Sequence, residues 1–75
     1  MNGGFRPLSM VNPGEEVTLM TIYAGRGLQS RLHSMGLSPG VKMKVLTSGP
    51  GPLIVSVRDT RLALGCGMAH KIMVS

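Results

Sequence analysis

The chain has no tryptophan, one tyrosine, one phenylalanine and a single cysteine, Cys66, among its 75 residues. One thiol cannot close an intramolecular disulfide, so the fold must hold without a covalent staple. A lone thiol also suits a reducing compartment better than a secreted scaffold. Two aromatic rings are too few to form the stacking platforms that hold single-stranded nucleic acid. Carboxylates are equally scarce: Glu15, Glu16 and Asp59 are the only three. General acid–base catalysis uses titratable groups held in unlike environments, whereas Glu15 and Glu16 are neighbours at a strand entrance and point to opposite faces. Cys66 would need a base, and His70, across a glycine-rich turn, has no residue to orient it. There is no P-loop. A non-enzymatic protein is the expectation. The longest strongly apolar stretch, PLIVSV at 52–57, falls far short of the roughly 20 residues that a spanning helix needs. MNGGFRPLS at the start holds no apolar signal-peptide core, and the expected location is cytoplasmic.

Positive charge is what the chain has in excess. Eight lysines and arginines against three acids give a formal charge of +5, which points to an acidic protein surface, nucleic acid or anionic lipid as partner. The cations are scattered singly, and with so few rings this weighs against nucleic acid. A small basic RNA-binding barrel that uses Lys42 and Lys44 is kept as a second alternative.

Residues 1–7 carry no periodic pattern and are expected to be a flexible N-terminal arm, with a single domain over 8–75. Ser9 can cap one turn that puts Leu8 and Val11 on the same side, and Pro13-Gly14 supplies a tight turn. EEVTLMTI reads as a strand with Val17 and Leu19 on one face. Ile22 is out of phase with them, and a bulge after Leu19 would bring all three inside. Leu28, Leu32 and Met35 are spaced i, i+4, i+7, the stripe of a short helix, with Arg26, Gln29, Ser30 and His33 opposite. Gly36 and Leu37 fit the end of that helix as a Schellman motif, in which Leu37 pairs with Leu32. Pro39-Gly40 fits the centre of a type II turn. VKMKVL alternates Val41, Met43 and Val45 inward with Lys42 and Lys44 outward. TSGPGP is a stiff loop, LIVSV a strand, and RDTR a hairpin turn around Asp59-Thr60. Leu62 and Leu64 point inward from the next strand. CGMA is short enough for a single 3₁₀ turn, and Ile72 and Val74 face the core from the last strand. The expected fold is mainly β: a small SH3-like five-stranded barrel, with one short α-helix inserted after the first strand and a 3₁₀ turn before the last.

LSMVNPGEEVTLMTI, GRGLQSRLHSMGLSPGVKMKVL and GPLIVSVRDTRLALGCGMAHKIMV, taken in order, resemble the ferrous-iron transport protein A family. The most distinctive elements are Pro13-Gly14-Glu15, Arg31-Leu32, Met35-Gly36-Leu37, Pro39-Gly40, and LALG followed by MA. The resemblance implies a small cytosolic SH3-like accessory protein of ferrous-iron uptake. Its partner would be the membrane GTPase transporter, ferrous-iron transport protein B, and it would be membrane-associated only through that partner. Similar domains end the iron- and manganese-dependent repressors, but this chain has no room for their winged helix. The family supplies no agreed catalytic or ligand set, and no cofactor is expected.

Leu28, Arg31, Leu32, Met35, Gly36, Leu37, Pro39 and Gly40 therefore read as structural. Arg31 lies on the flank of the helix stripe, its stem packed and its guanidinium reaching a carbonyl or carboxylate. Partner contact falls to Arg26, His33, Arg58 and Arg61 against an acidic surface, with Met20 or Met73 as adaptable apolar contacts. The first alternative is direct binding or sensing of ferrous iron or another transition metal ion. Thiolate, thioether and imidazole at Cys66, Met68 and His70 suit such ions, although the spacing of Cys66 and His70 is a weak signal alone. Weak homo-oligomerisation is left open.

Overall fold

The computed structural model describes residues 4–47 and 51–75, and of Cys66 the backbone only. Strand β1 (Arg6–Pro7) leads into a 3₁₀ turn (Leu8–Met10). There follow β2 (Glu16–Ile22), α1 (Arg26–Ser34), β3 (Lys42–Thr47), β4 (Leu53–Val57), β5 (Thr60–Leu64), α2 (Cys66–Ala69) and β6 (Ile72–Val74). The strands form one sheet in the order β1-β6-β2-β3-β4-β5, with every neighbouring pair antiparallel.

Alternation in the sequence becomes alternation of burial, because successive strand residues point to opposite faces. Val17, Leu19, Ile22, Val41, Met43, Val45, Leu53, Val55, Val57, Leu64, Ile72 and Val74 are buried in one cluster, which Leu8, Val11, Leu32, Leu37 and Ala69 complete. No polar or charged residue is buried among the described residues. The β2–β6 register shifts between Leu19 and Thr21, and this irregularity lets Ile22 join Val17 and Leu19 in the core, as its out-of-phase position requires. A second shift falls between Val45 and Thr47 in the β3–β4 ladder.

The mainly β, SH3-like expectation holds, and four details differ. The sheet has six strands, not five, because Arg6 and Pro7, assigned to the arm, pair with Val74 and Met73. Arg6 is anchored further by its Nη2, which donates to Glu15 Oε1 at 2.9 Å, and its Nε, which donates to the Ser75 carbonyl at 3.2 Å. The barrel is not closed by hydrogen bonds: among the described residues no ladder joins the edge strands β1 and β5. The 3₁₀ turn lies at Leu8–Met10, while Cys66–Ala69 make one α-helical turn, since the Ala69 amide reaches the Gly65 carbonyl four residues back. Finally, the β4–β5 turn is centred on Arg58-Asp59 rather than Asp59-Thr60, because Val57 and Thr60 are the pair that closes the ladder. Of the TSGPGP loop, residues 48–50 lie outside the described residues.

Helix α1 is shorter than its apolar stripe. Leu32 is fully buried and Leu28 packs against the core, but the helix ends at Ser34, and Met35, at the cap, is 37% exposed. The Gly36 amide donates to the His33 carbonyl and the Leu37 amide to the Leu32 carbonyl, the two bonds of a Schellman ending. Gly36 sits at φ +94, where a Cβ would be strained. At the other end Gln29 is half-buried, not solvated: its Nε2 donates to the Ile22 and Ala24 carbonyls and ties the helix to the end of β2. Ser9 is not a cap, since the 3₁₀ turn has no side-chain cap bond; its Oγ is 3.0 Å from His70 Nδ1.

Candidate partner-binding site

The side of the sheet turned away from the core carries the charges that the strand sequences leave there. Glu16 on β2 lies opposite Lys44 on β3, Lys44 opposite Ser56 on β4, and Ser56 opposite Arg61 on β5. These four residues form one row across four strands. Lys42, two residues before Lys44, takes the same face opposite Thr18. The β4–β5 turn brings Arg58 and Asp59 to this side, and an open depression of ≈ 550 Å³ results, lined by Glu16, Lys42, Lys44, Ser56, Arg58 and Asp59 together with Gly40, Val41 and Met43. Its floor is positioned by the Pro39-Gly40 turn. There Gly40 has φ +95 and the Val41 amide closes on the Ser38 carbonyl, the geometry of a type II turn.

Lys42, Lys44, Arg58 and Arg61 are all exposed. Among the described residues none of them forms an ion pair, the one such pair being Arg6–Glu15 at 2.9 Å. The surface therefore presents four cations beside Glu16 and Asp59. Arg58 has φ +49 and Asp59 φ +68. A two-residue hairpin of the I′ type needs positive φ at both central positions and favours Asn-Gly there. Asp tolerates this region, whereas Arg does so at a cost of about 1 kcal/mol. Arg58 is held in a strained turn at the rim of the depression.

The residues singled out from sequence do not all gather here. Arg58 and Arg61 do, on β4–β5. Arg26 and His33 are exposed on α1, seven positions apart and so on one helical face, with the solvated Ser30 between them. Met20 is 37% exposed on β2. Met73, offered as an exposed contact, is half-buried in β6 opposite Pro7 and Thr21. Arg31 is exposed, and among the described residues its guanidinium makes no hydrogen bond or ion pair. The parts not anticipated are Glu16, Asp59 and the lysines as walls of a common depression. Their signal is the outward half of each alternating strand, which becomes a site only when the register aligns it.

His70, one half of the Cys66/His70 metal alternative, is exposed and spends Nδ1 on Ser9. No group of three or more His, Cys, Asp or Glu converges among the described residues, which do not include the Cys66 side chain. Glu15 is likewise engaged. Its Oε2 accepts the Asn12 amide at 2.9 Å, and its pKa is lowered, first by the Arg6 hydrogen bond and then by that amide.

The FeoA domain matches residues 6–75. The chain belongs to the FeoA domain family. A curated relative from Methanocaldococcus jannaschii, named "Putative Fe(2+) transport protein A", is 46% identical over 68 residues, which cover 91% of this chain and 83% of the relative. A crystal structure described as the iron uptake regulatory protein FeoA superposes with a TM-score of 0.87 at 39% identity, over 96% of each chain. A manganese-dependent transcriptional repressor bound to manganese superposes at TM-score 0.88, but at 23% identity and over 37% of its own length; that likeness is one of fold. Within the family frame, the matched span begins at Arg6, the first residue of β1. No helix of the described residues is long and apolar enough to cross a membrane.

Proposed function

We propose that this chain is an accessory protein of ferrous-iron uptake that acts by docking, through the outer face of β2–β5, onto the cytosolic part of a membrane GTPase iron transporter. The iron role rests on the family and on the 46% identical relative. The docking role rests on one observation: Lys42, Lys44, Arg58 and Arg61 share a face on which they have no ion-pair partner among the described residues. Charges left unpaired on a rigid sheet steer and orient a complementary acidic surface more than they stabilise the fold. The strained Arg58 supports the reading, because residues held at disfavoured φ cluster at binding and switch sites.

Titration calorimetry of the whole chain against the transporter's isolated cytosolic domain tests it. The double variant Lys44→Glu, Arg58→Glu should bind at least about tenfold more weakly, and wild-type binding should weaken as salt is raised. Affinity that ignores both the substitutions and the salt would contradict docking through this face.

A further inference from the structure

The two edges of the sheet are not alike. β1 is two residues long and one of them is Pro7, both ordinary means of keeping an edge from pairing with another chain. β5 has five residues and no proline, and pairs with β4 in unbroken register from Val57↔Thr60 to Leu53↔Leu64. In a two-residue hairpin, the pair flanking the turn exchanges both of its backbone hydrogen bonds, and bonded and non-bonded pairs then alternate along the ladder. Thr60, Leu62 and Leu64 accordingly turn their amides and carbonyls toward β4. Arg61 and Ala63 turn theirs away, to the open side, where no partner meets them among the described residues. Both residues are exposed. Helix α2, which follows β5, packs against the 3₁₀ turn and leaves these two positions uncovered.

We infer that the β5 edge is a strand-addition site, where an extended acidic segment of a partner protein pairs with the backbone of Arg61 and Ala63. Two residues with both groups free offer four main-chain hydrogen bonds, the usual source of affinity when a peptide adds to a sheet edge. Side chains set the preference. Arg61 sits in the row with Ser56 and Lys44, and Ala63 lies opposite the half-buried Ile54. An added strand is favoured with a carboxylate beside Arg61 and a small or apolar residue two positions along. A second copy of this chain is a poorer occupant, since each copy carries a formal charge of +5 and like charges disfavour association. The inference stands on the ladder and not on the docking reading, so it holds or falls whichever protein supplies the segment.

The probe is a capped hexapeptide with glutamate second, valine fourth and threonine elsewhere, with a glutamine-for-glutamate control, titrated into the full chain and followed by amide exchange. In the free chain the Arg61 and Ala63 amides should exchange at least about a hundredfold faster than those of Leu62 and Leu64. Saturating peptide should slow both at least about tenfold. The glutamine control should bind at least about fivefold more weakly. Ala63→Pro removes an outward amide that the β4 ladder does not use, a substitution edge strands tolerate, and it should abolish binding. If that variant unfolds, the exchange data on the unmodified chain decide. Absence of peptide binding, binding that leaves both amides unchanged, or protection that grows with protein concentration alone (a second copy) would each overturn the inference. Peptide pairing without transporter binding would instead sink the docking reading and leave this one standing.

Discussion

Arg58 occupies backbone space that most side chains avoid, and its neighbour Asp59 shares it. The double substitution Arg58→Asn, Asp59→Gly should stabilise the fold by about 1 kcal/mol, since asparagine followed by glycine suits a I′ turn. Urea unfolding measures it, and no gain would mean that the turn is not strained. Glu15 gives a pH-dependent counterpart. A carboxylate whose pKa is lower in the folded chain contributes stability above its unfolded pKa, and that contribution is lost as pH falls through the folded value. The stability difference between wild type and Glu15→Gln should thus be present at about pH 6. It should decline below the ordinary 4.5 of a glutamate and vanish once the carboxyl is protonated in both states. Denaturation followed across that range checks it, and a difference constant with pH would contradict the assigned Arg6 and Asn12 bonds.

At the scale of elements, α1 shows how far a periodic pattern can be read. Leu28, Leu32 and Met35 mark one helical face, and Leu37 closes the Schellman end, but the pattern does not say where the helix leaves the core. The structure ends it at Ser34 and leaves Met35 at the surface. Leu32→Ala should then cost about 2–5 kcal/mol, whereas Met35→Ala should cost less than about 0.5 kcal/mol, as exposed substitutions do. Equal losses would show that Met35 is a core residue after all. The strands were legible for the same reason as Leu32: alternation decides which side faces inward, as in Val41, Met43 and Val45. What alternation cannot supply is partners. Arg6 and Pro7 look like a frayed start because two residues carry no period, and they are strand only through Val74 and Met73 far along the chain. The turn misplaced by one residue at Arg58 has a similar origin, since a I′ turn without Asn or Gly carries no local signature. Ser9 and His70 are far apart in sequence, and only the packing of the 3₁₀ turn against α2 joins them.

For the molecule as a whole, the core is wholly apolar among the described residues and the exposed cations lie outside it, four of them on the outer face of β2–β5. The cations on that face were visible singly in the sequence, as Lys42, Lys44, Arg58 and Arg61. Their assembly was not, because it depends on the register Glu16, Lys44, Ser56, Arg61 across four strands. Of the other expected contacts, Arg26 and His33 lie apart on α1. The sheet and the helix face thus make separable claims on a partner, and residue-resolved mapping discriminates between them. The most direct measurement is a titration of the isotope-labelled chain with the transporter's cytosolic GTPase domain, followed by shifts of individual backbone amides. Docking through the outer face of β2–β5 predicts the largest shifts at Lys42, Lys44, Arg58 and Arg61, weakening together as salt is raised; shifts confined to Arg26, His33 and the rest of α1, or none at saturating partner, would contradict it.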